Sequence, residues 1–207
     1  MPNFDYEKKY DGLVVGTDEA GRGPWVGPVV AAAVCFENFK IPEELASQLN
    51  DSKKLSAKKR EKLFDMIYAS GALIGIGQAT AEEIDDINIL QASFLAMKRA
   101  LMQIEEKGKN IDFVLIDGNR VPNDWKWSSE AVVKGDALSL SISAASIIAK
   151  VTRDRLMCVL AEEYPDYGWE RNAGYGTAEH IKALKEKGVT PYHRKSYAPV
   201  AKLLNEV

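Results

Sequence analysis

The chain has 207 residues, 46% hydrophobic and 28% charged, a balance that suits one core and a single domain over 1–207 and excludes fibrous, collagenous and disordered classes. A formal net charge of −3 excludes a protein that coats nucleic acid by bulk electrostatics, because such binding draws on many lysines and arginines near phosphates. No apolar run is long enough to cross a bilayer, and residues 1–11 mix charge with aromatics, so a soluble, unexported, cytoplasmic protein is expected.

In chain order, an apolar β-branched strand over 13–17 leads into Asp18 and Glu19. A glycine-rich stretch follows, Gly21-Arg22-Gly23-Pro24-Trp25-Val26-Gly27-Pro28, and then a second strand over 29–36. Lys53, Lys54, Lys58, Lys59, Arg60 and Lys62 run from a loop into a helix that starts at Ser56, and taken alone they read as a solvated helix face. A third strand covers 73–78, a helix 90–104, and a fourth strand 113–116 leads into Asp117-Gly118-Asn119. The longest helix, 141–164, carries Ser143, Ala144, Ala145, Ser146 and Ala149, small enough to let its backbone lie against a neighbouring surface. Glycines and prolines punctuate 165–177, and short helices over 178–187 and 198–205 close a mixed α/β unit without repeats or linkers. Cys35 and Cys158 both fall in apolar segments and are expected as buried free thiols.

Two buried strands thus end in acids, at the sheet edge where ligand sites form in open α/β folds. Each acid alone has a plain explanation: Asp before Gly forms turns, and Asp136 suits a cap of the helix over 141–164. Converging carboxylates about 4 Å apart would repel by about 4 kcal/mol at an effective dielectric near 20, so a cluster calls for a counter-charge. With no His or Cys adjacent, an all-oxygen set points to Mg²⁺ or Mn²⁺ and to in-line phosphodiester hydrolysis. The glycine-rich stretch offers bare backbone to a sugar–phosphate chain. As a dinucleotide loop it is poor, since the spacing is wrong and Pro24 and Pro28 interrupt any following helix. Lys150, Arg153, Asp154 and Arg155 read mostly as a solvated helix face, the four tryptophans as packing residues, and His180 and His193 as structural or phosphate-proximal.

Gly16-Thr17-Asp18-Glu19-Ala20-Gly21-Arg22-Gly23-Pro24, followed by Gly27-Pro28, resembles the signature of the ribonuclease HII family. Asp51-Ser52-Lys53-Lys54-Leu55-Ser56, Ile116-Asp117-Gly118-Asn119, Lys134-Gly135-Asp136, the run from Ser143 to Asp154, Gly174-Tyr175-Gly176-Thr177 and His193-Arg194-Lys195-Ser196-Tyr197 resemble further family segments, in order over nearly the whole chain. The resemblance implies an RNase H-like fold, a mixed central sheet flanked by helices with helices at the C-terminus. It implies a site of Asp18, Glu19, Asp117 and Asp136 holding two divalent ions, Mg²⁺ or Mn²⁺. Water held by one ion would attack phosphorus in line while the other stabilises the departing 3′ oxygen, leaving a 5′ phosphate and a 3′ hydroxyl. The substrates implied are RNA/DNA hybrids and duplex DNA containing ribonucleotides. Gly21, Arg22, Gly23 and Tyr175 would sense the 2′-hydroxyl, the group that separates RNA from DNA, and Ser52 and Lys53 would hold phosphates.

Three alternatives stand beside this reading. A type III enzyme shares the acid-and-glycine signature but usually adds an N-terminal substrate-binding domain, whereas about a dozen residues precede the first strand here. A non-catalytic hybrid-binding module would keep the fold without turnover, and a histidine-based ribonuclease would work in excess chelator. The size of the core suits a monomer.

Overall fold

The computed structural model describes residues 1–50, 52 and 55–205. Five strands make one sheet: β1 (Val14–Ala20), β2 (Val29–Cys35), β3 (Leu73–Ala79), β4 (Phe113–Asp117) and β5 (Ser129–Val132), in the order β3-β2-β1-β4-β5. β1 pairs antiparallel with β2 and parallel with β4, so the sheet is mixed, with β1 at its centre. The helices are α1 (Glu43–Ala46), α2 (Ala57–Ala69), α3 (Ala81–Glu105), α4 (Leu140–Glu163), α5 (Trp169–Asn172), α6 (Ala178–Lys187) and α7 (Ala198–Asn205). One core lies between the sheet and α3, built on Val15, Ala31, Ala96, Met97, Ala100, Val114 and Ile116. A second lies between the sheet, α2 and α4, built on Ala32, Val34, Leu63, Ile67, Ala144 and Ile148. Burial on both faces explains why β1 and β2 read as continuous apolar runs rather than as alternating ones.

β1 continues through Asp18 and Glu19 instead of stopping before them, because both residues still pair with β2, Asp18 opposite Ala32 and Glu19 opposite Ala31. β5 escapes the sequence pattern: it has four residues, Ser129-Glu130-Ala131-Val132, is only partly buried and lies at the sheet edge. The helix expected over 90–104 starts earlier, at a capping box between Thr80 and Glu83. Asn88 interrupts it at φ 67°, and its Oδ1 accepts from the amides of Leu90 (3.0 Å) and Gln91 (3.2 Å), so a second helical start does fall where the apolar spacing begins.

α4 packs tightly on β1 because Gly16 has no side chain. A Cβ there would sit 2.4 Å from the amide nitrogen of Ile142, a distance no packed atom tolerates. The small residues of α4 complete the contact, and the approach sets the turn carrying Ser146 opposite the following β1 residue on that face, Asp18. Ser139 caps α4, accepting from the Ile142 amide at 3.1 Å. Asp136 is therefore not the cap and sits in the short 3₁₀ turn Gly135–Ala137.

A third cluster, Val26, Met157, Leu160, Tyr167, Trp169 and Leu184, joins the glycine-rich segment to the C-terminal helices. Cys35 is buried, and burial pushes its thiol up to about 12. Cys158 is exposed, contrary to expectation, because the far end of α4 buries only one of its faces. Among the described residues no helix is long and apolar enough to cross a membrane.

Candidate active site

Asp18 is 6% exposed, on the α4 side of β1. β1 and β4 pair with Thr17 opposite Ile116, and one step further along this parallel pair Asp18 and Asp117 come side by side. Burial raises the Asp18 carboxyl well above the usual carboxylate range, and the charges of Glu19 and then Asp117 add to the effect. The Ser146 hydroxyl and the Glu19 amide, whose N–H donates to Asp18 Oδ1 at 2.6 Å, oppose it. Glu19 alternates to the other face of the strand, where Arg22 Nη1 lies 3.2 Å from its Oε1. Asp117 Oδ1 accepts from the amides of Gly135 (2.7 Å) and Asp136 (3.4 Å), which ties the turn carrying Asp136 to the end of β4. The first two acids thus come from β1, the third from β4, and the fourth lies on a turn bonded to the third. Two of them, Glu19 and Asp117, line an open cleft together with Arg22, Met97, Asn119 and Arg120.

The donor set is entirely oxygen, and like charges crowd the buried Asp18; both features suit a hard divalent cation. As placed, no three acid, histidine or cysteine side chains among the described residues enclose an ion. Two of the acids are turned to other partners, Glu19 to Arg22 and Asp117 to the amides of the Asp136 turn.

The glycine-rich loop is held from below by two buried arginines that composition alone assigns to the surface. Arg194, 0% exposed, donates to the carbonyls of Gly21 (2.6 Å), Arg22 (3.0 Å), Pro24 (2.7 Å) and Gly27 (3.0 Å). Arg153, 1% exposed, donates to those of Pro28 (3.2 Å), Val26 (3.0 Å) and Ala173 (3.0 Å). Arg153 is thereby removed from the solvated face proposed for α4, while Lys150 with Asp154 (2.7 Å) and Arg155 with Glu61 are the ordinary ion pairs expected there. Burial and then Arg194 push the Arg153 guanidinium down to about 10, still charged near neutrality. Gly21 is required by this clamp: it has φ +99°, and a Cβ would fall 2.0 Å from Arg153 Nε.

Tyr175, 49% exposed, faces the same loop, with Cε1 3.3 Å from the position a Gly23 Cβ would take. Gly23 and Tyr175, more than 150 positions apart in sequence, therefore meet. Ser52 is buried, and its Oγ lies 2.7 Å from that of Ser146, the residue that bonds Asp18. Lys53 lies outside the described residues, as do Asp51 and Lys54. Arg60 braces the same loop, donating to the carbonyls of Ser52 (3.0 Å) and Leu55 (2.5 Å), and Lys62 pairs with Glu44 at 3.3 Å, so these two basic side chains have structural partners. Of the tryptophans, Trp127 and Trp169 are buried, and Trp25 packs under Gly176.

The family model described as Ribonuclease HII matches residues 15–200. A ribonuclease HII of Paramagnetospirillum magneticum is 52% identical over 204 residues, 99% of each chain. One from Magnetococcus marinus is 56% identical over 189 residues, 91% of this chain and 86% of that one. Among solved structures, the ribonuclease H2 of Pyrococcus horikoshii superposes with a TM-score of 0.74 at 28% identity, covering 94% of this chain and 98% of that one. The Mn²⁺ complex of Bst-RNase HIII shares the fold, with a TM-score of 0.69 at 19% identity over 94% of this chain and 70% of that one.

Proposed function

Because the chain belongs to the ribonuclease HII family, and is therefore a ribonuclease H with an RNase H-like fold, we propose that it cuts the RNA strand of RNA/DNA hybrids and nicks duplex DNA on the 5′ side of single ribonucleotides. Asp18, Glu19, Asp117 and Asp136 are the proposed ligands of two divalent ions, Mg²⁺ or Mn²⁺. The observation that carries this reading is the buried carboxyl of Asp18 beside Asp117 at the strand ends, driven upward by burial and by its neighbouring acids Glu19 and Asp117. A Mn²⁺ complex of a fold relative supports the choice of metal. Bound there, such ions supply an activated water and Lewis-acid stabilisation for in-line displacement at phosphorus, which leaves a 5′ phosphate and a 3′ hydroxyl.

The protein's own part is positioning. Asp18 is held by the Glu19 amide and by Ser146, which limits its freedom before substrate arrives. The carbonyls of Gly21, Arg22, Pro24 and Gly27 are turned inward to Arg194, so the opposite side of the Gly21-Arg22-Gly23 backbone is proposed to meet the 2′-hydroxyl without regard to the base. Tyr175 is proposed to pack against the next sugar, where a second 2′-hydroxyl would crowd its ring. Ser52 and Lys53 are proposed to hold phosphate. A single domain over 1–207 acting as a monomer completes the proposal.

The test is cleavage of a labelled RNA/DNA hybrid by the wild type and by Asp18→Asn, Glu19→Gln, Asp117→Asn and Asp136→Asn. Loss of several kcal/mol of charge stabilisation corresponds to a drop on the order of 10³-fold. A folded Asp18→Asn variant with wild-type turnover would remove the four-acid site.

A further inference from the structure

His180 on α6 and His193 in the loop before α7 take no part in the proposed chemistry, yet they are 0% and 1% exposed and face one another, Nε2 to Nε2, at 3.1 Å. Their outer nitrogens both meet main chain. The amide of Thr190 lies 2.9 Å from His193 Nδ1, and the carbonyl of Tyr175 lies 2.9 Å from His180 Nδ1. A main-chain amide only donates and a carbonyl only accepts, so these two contacts fix the protons between them. His193 Nδ1 must be bare to accept from Thr190, which puts the proton of a neutral ring on its Nε2. That proton points at His180 Nε2, which also receives Trp169 Nε1–H at 3.3 Å, so His180 Nε2 is bare as well. The His180 proton is left on Nδ1, donating to the Tyr175 carbonyl. A charge on either ring would set two N–H groups against each other. Both rings are accordingly held neutral: burial lowers His180, and burial with His180 alongside lowers His193 to about 3.

We propose that His180 and His193 are positioning residues that form a one-way relay from Thr190 to the Tyr175 carbonyl, fixing Tyr175 over Gly23 and so setting the preference for a ribonucleotide followed by a deoxyribonucleotide. The inference rests on the role given to Tyr175 above. Tyr175 needs such an anchor because Gly174 and Gly176 flank it and its ring is half exposed. The amide and carbonyl of Tyr175 itself otherwise bond only locally, to Asn172 and Thr177, while the neighbouring Gly174 carbonyl accepts from the Trp25 amide at 2.9 Å. The relay reaches across instead to the segment before α7, whose Arg194 clamps the glycine loop, so both walls of the reading site share one support.

The first test is nitrogen-detected NMR of the wild-type imidazoles near neutral pH. The relay requires opposite neutral tautomers, Nδ1–H on His180 and Nε2–H on His193. The same tautomer on both rings, or a charged ring, overturns it. The second compares kcat/KM for a duplex with one ribonucleotide against a long hybrid. His180→Asn keeps an N–H where Nδ1 stood, and the ratio should stay within about twofold of wild type. His180→Leu removes it, and the ratio should fall about tenfold, with the long-hybrid rate nearly unchanged. His193→Gln and His193→Leu form a matching pair should His180→Leu fail to fold. If Tyr175→Ala collapses the ratio while folded leucine variants keep it, the relay fails and the Tyr175 reading stands. If Tyr175→Ala keeps the ratio, the Tyr175 reading fails and takes the relay's role with it.

Discussion

Asp18 illustrates how one side chain can be a cost to folding and a condition for function. Its carboxyl is raised in the folded protein by burial and by Glu19 and Asp117, whereas in the unfolded chain it ionises at the ordinary value near 3.9. Between those two values the folded state holds a proton that the unfolded state has released, so this group's contribution to stability falls as pH rises through that window. Asp18→Asn should therefore melt higher than the wild type near pH 7 without divalent ions, by about 2–4 °C per kcal/mol relieved, and the gain should vanish near pH 3. Saturating Mg²⁺ should raise the wild-type midpoint and narrow the gap. Thermal unfolding at the two pH values, with and without the ion, checks this. A variant less stable than wild type at neutral pH would mean that Asp18 is already compensated.

At the scale of elements, what organises the site is a pair of arginines closing a loop onto a helix. Arg194 satisfies four carbonyls of the glycine-rich loop at once, a task suited to the planar guanidinium fork and beyond the single ammonium of lysine. Arg194→Lys should destabilise the protein by about 2–4 kcal/mol through buried carbonyls left unpaired. Arg171→Lys, at exposed pairs with Glu170 and Glu179, should change stability by less than about 1 kcal/mol. Denaturant unfolding of both variants decides, and equal effects would show that the loop does not depend on its clamp. Much at this scale was legible in the sequence. Helices over 178–187 and 198–205 appear with the expected bounds, and Ser56 caps α2 as its spacing indicates. Strand ends carrying Asp18 and Asp117 were visible because apolar runs stop abruptly in acids. The clamp made by the two arginines was not, since most of its bonds reach carbonyls well over a hundred positions away and leave no periodic trace, and Arg153 lies in a charged stretch that reads as solvated. The histidines read as structural or phosphate-proximal, but nothing in the sequence pairs two rings 13 positions apart on different elements. β5 was missed because four residues at a sheet edge, three of them half-buried, give too short a pattern.

For the whole molecule, the sheet holds the ends of β1 and β4 side by side, Asp117 ties the Gly135–Ala137 turn to β4, and the C-terminal cluster supports the glycine-rich loop that follows β1, so the acids and the loop proposed to read the sugar belong to one region of the fold. A net charge of −3 means that recognition rests on a few local contacts rather than on a basic surface. The central claim is that these parts together read one ribonucleotide inside DNA and cut beside it with divalent ions. The most direct test is a labelled DNA duplex holding a single ribonucleotide, incubated with Mg²⁺, with Mn²⁺ or with chelator, beside an all-DNA duplex and a long hybrid. The account predicts a single nick on the 5′ side of the ribonucleotide, with a 5′ phosphate and a 3′ hydroxyl, in either ion and in neither control lacking metal or ribose. Cleavage confined to longer RNA runs, cleavage that persists in chelator, or tight binding without a nick would contradict it.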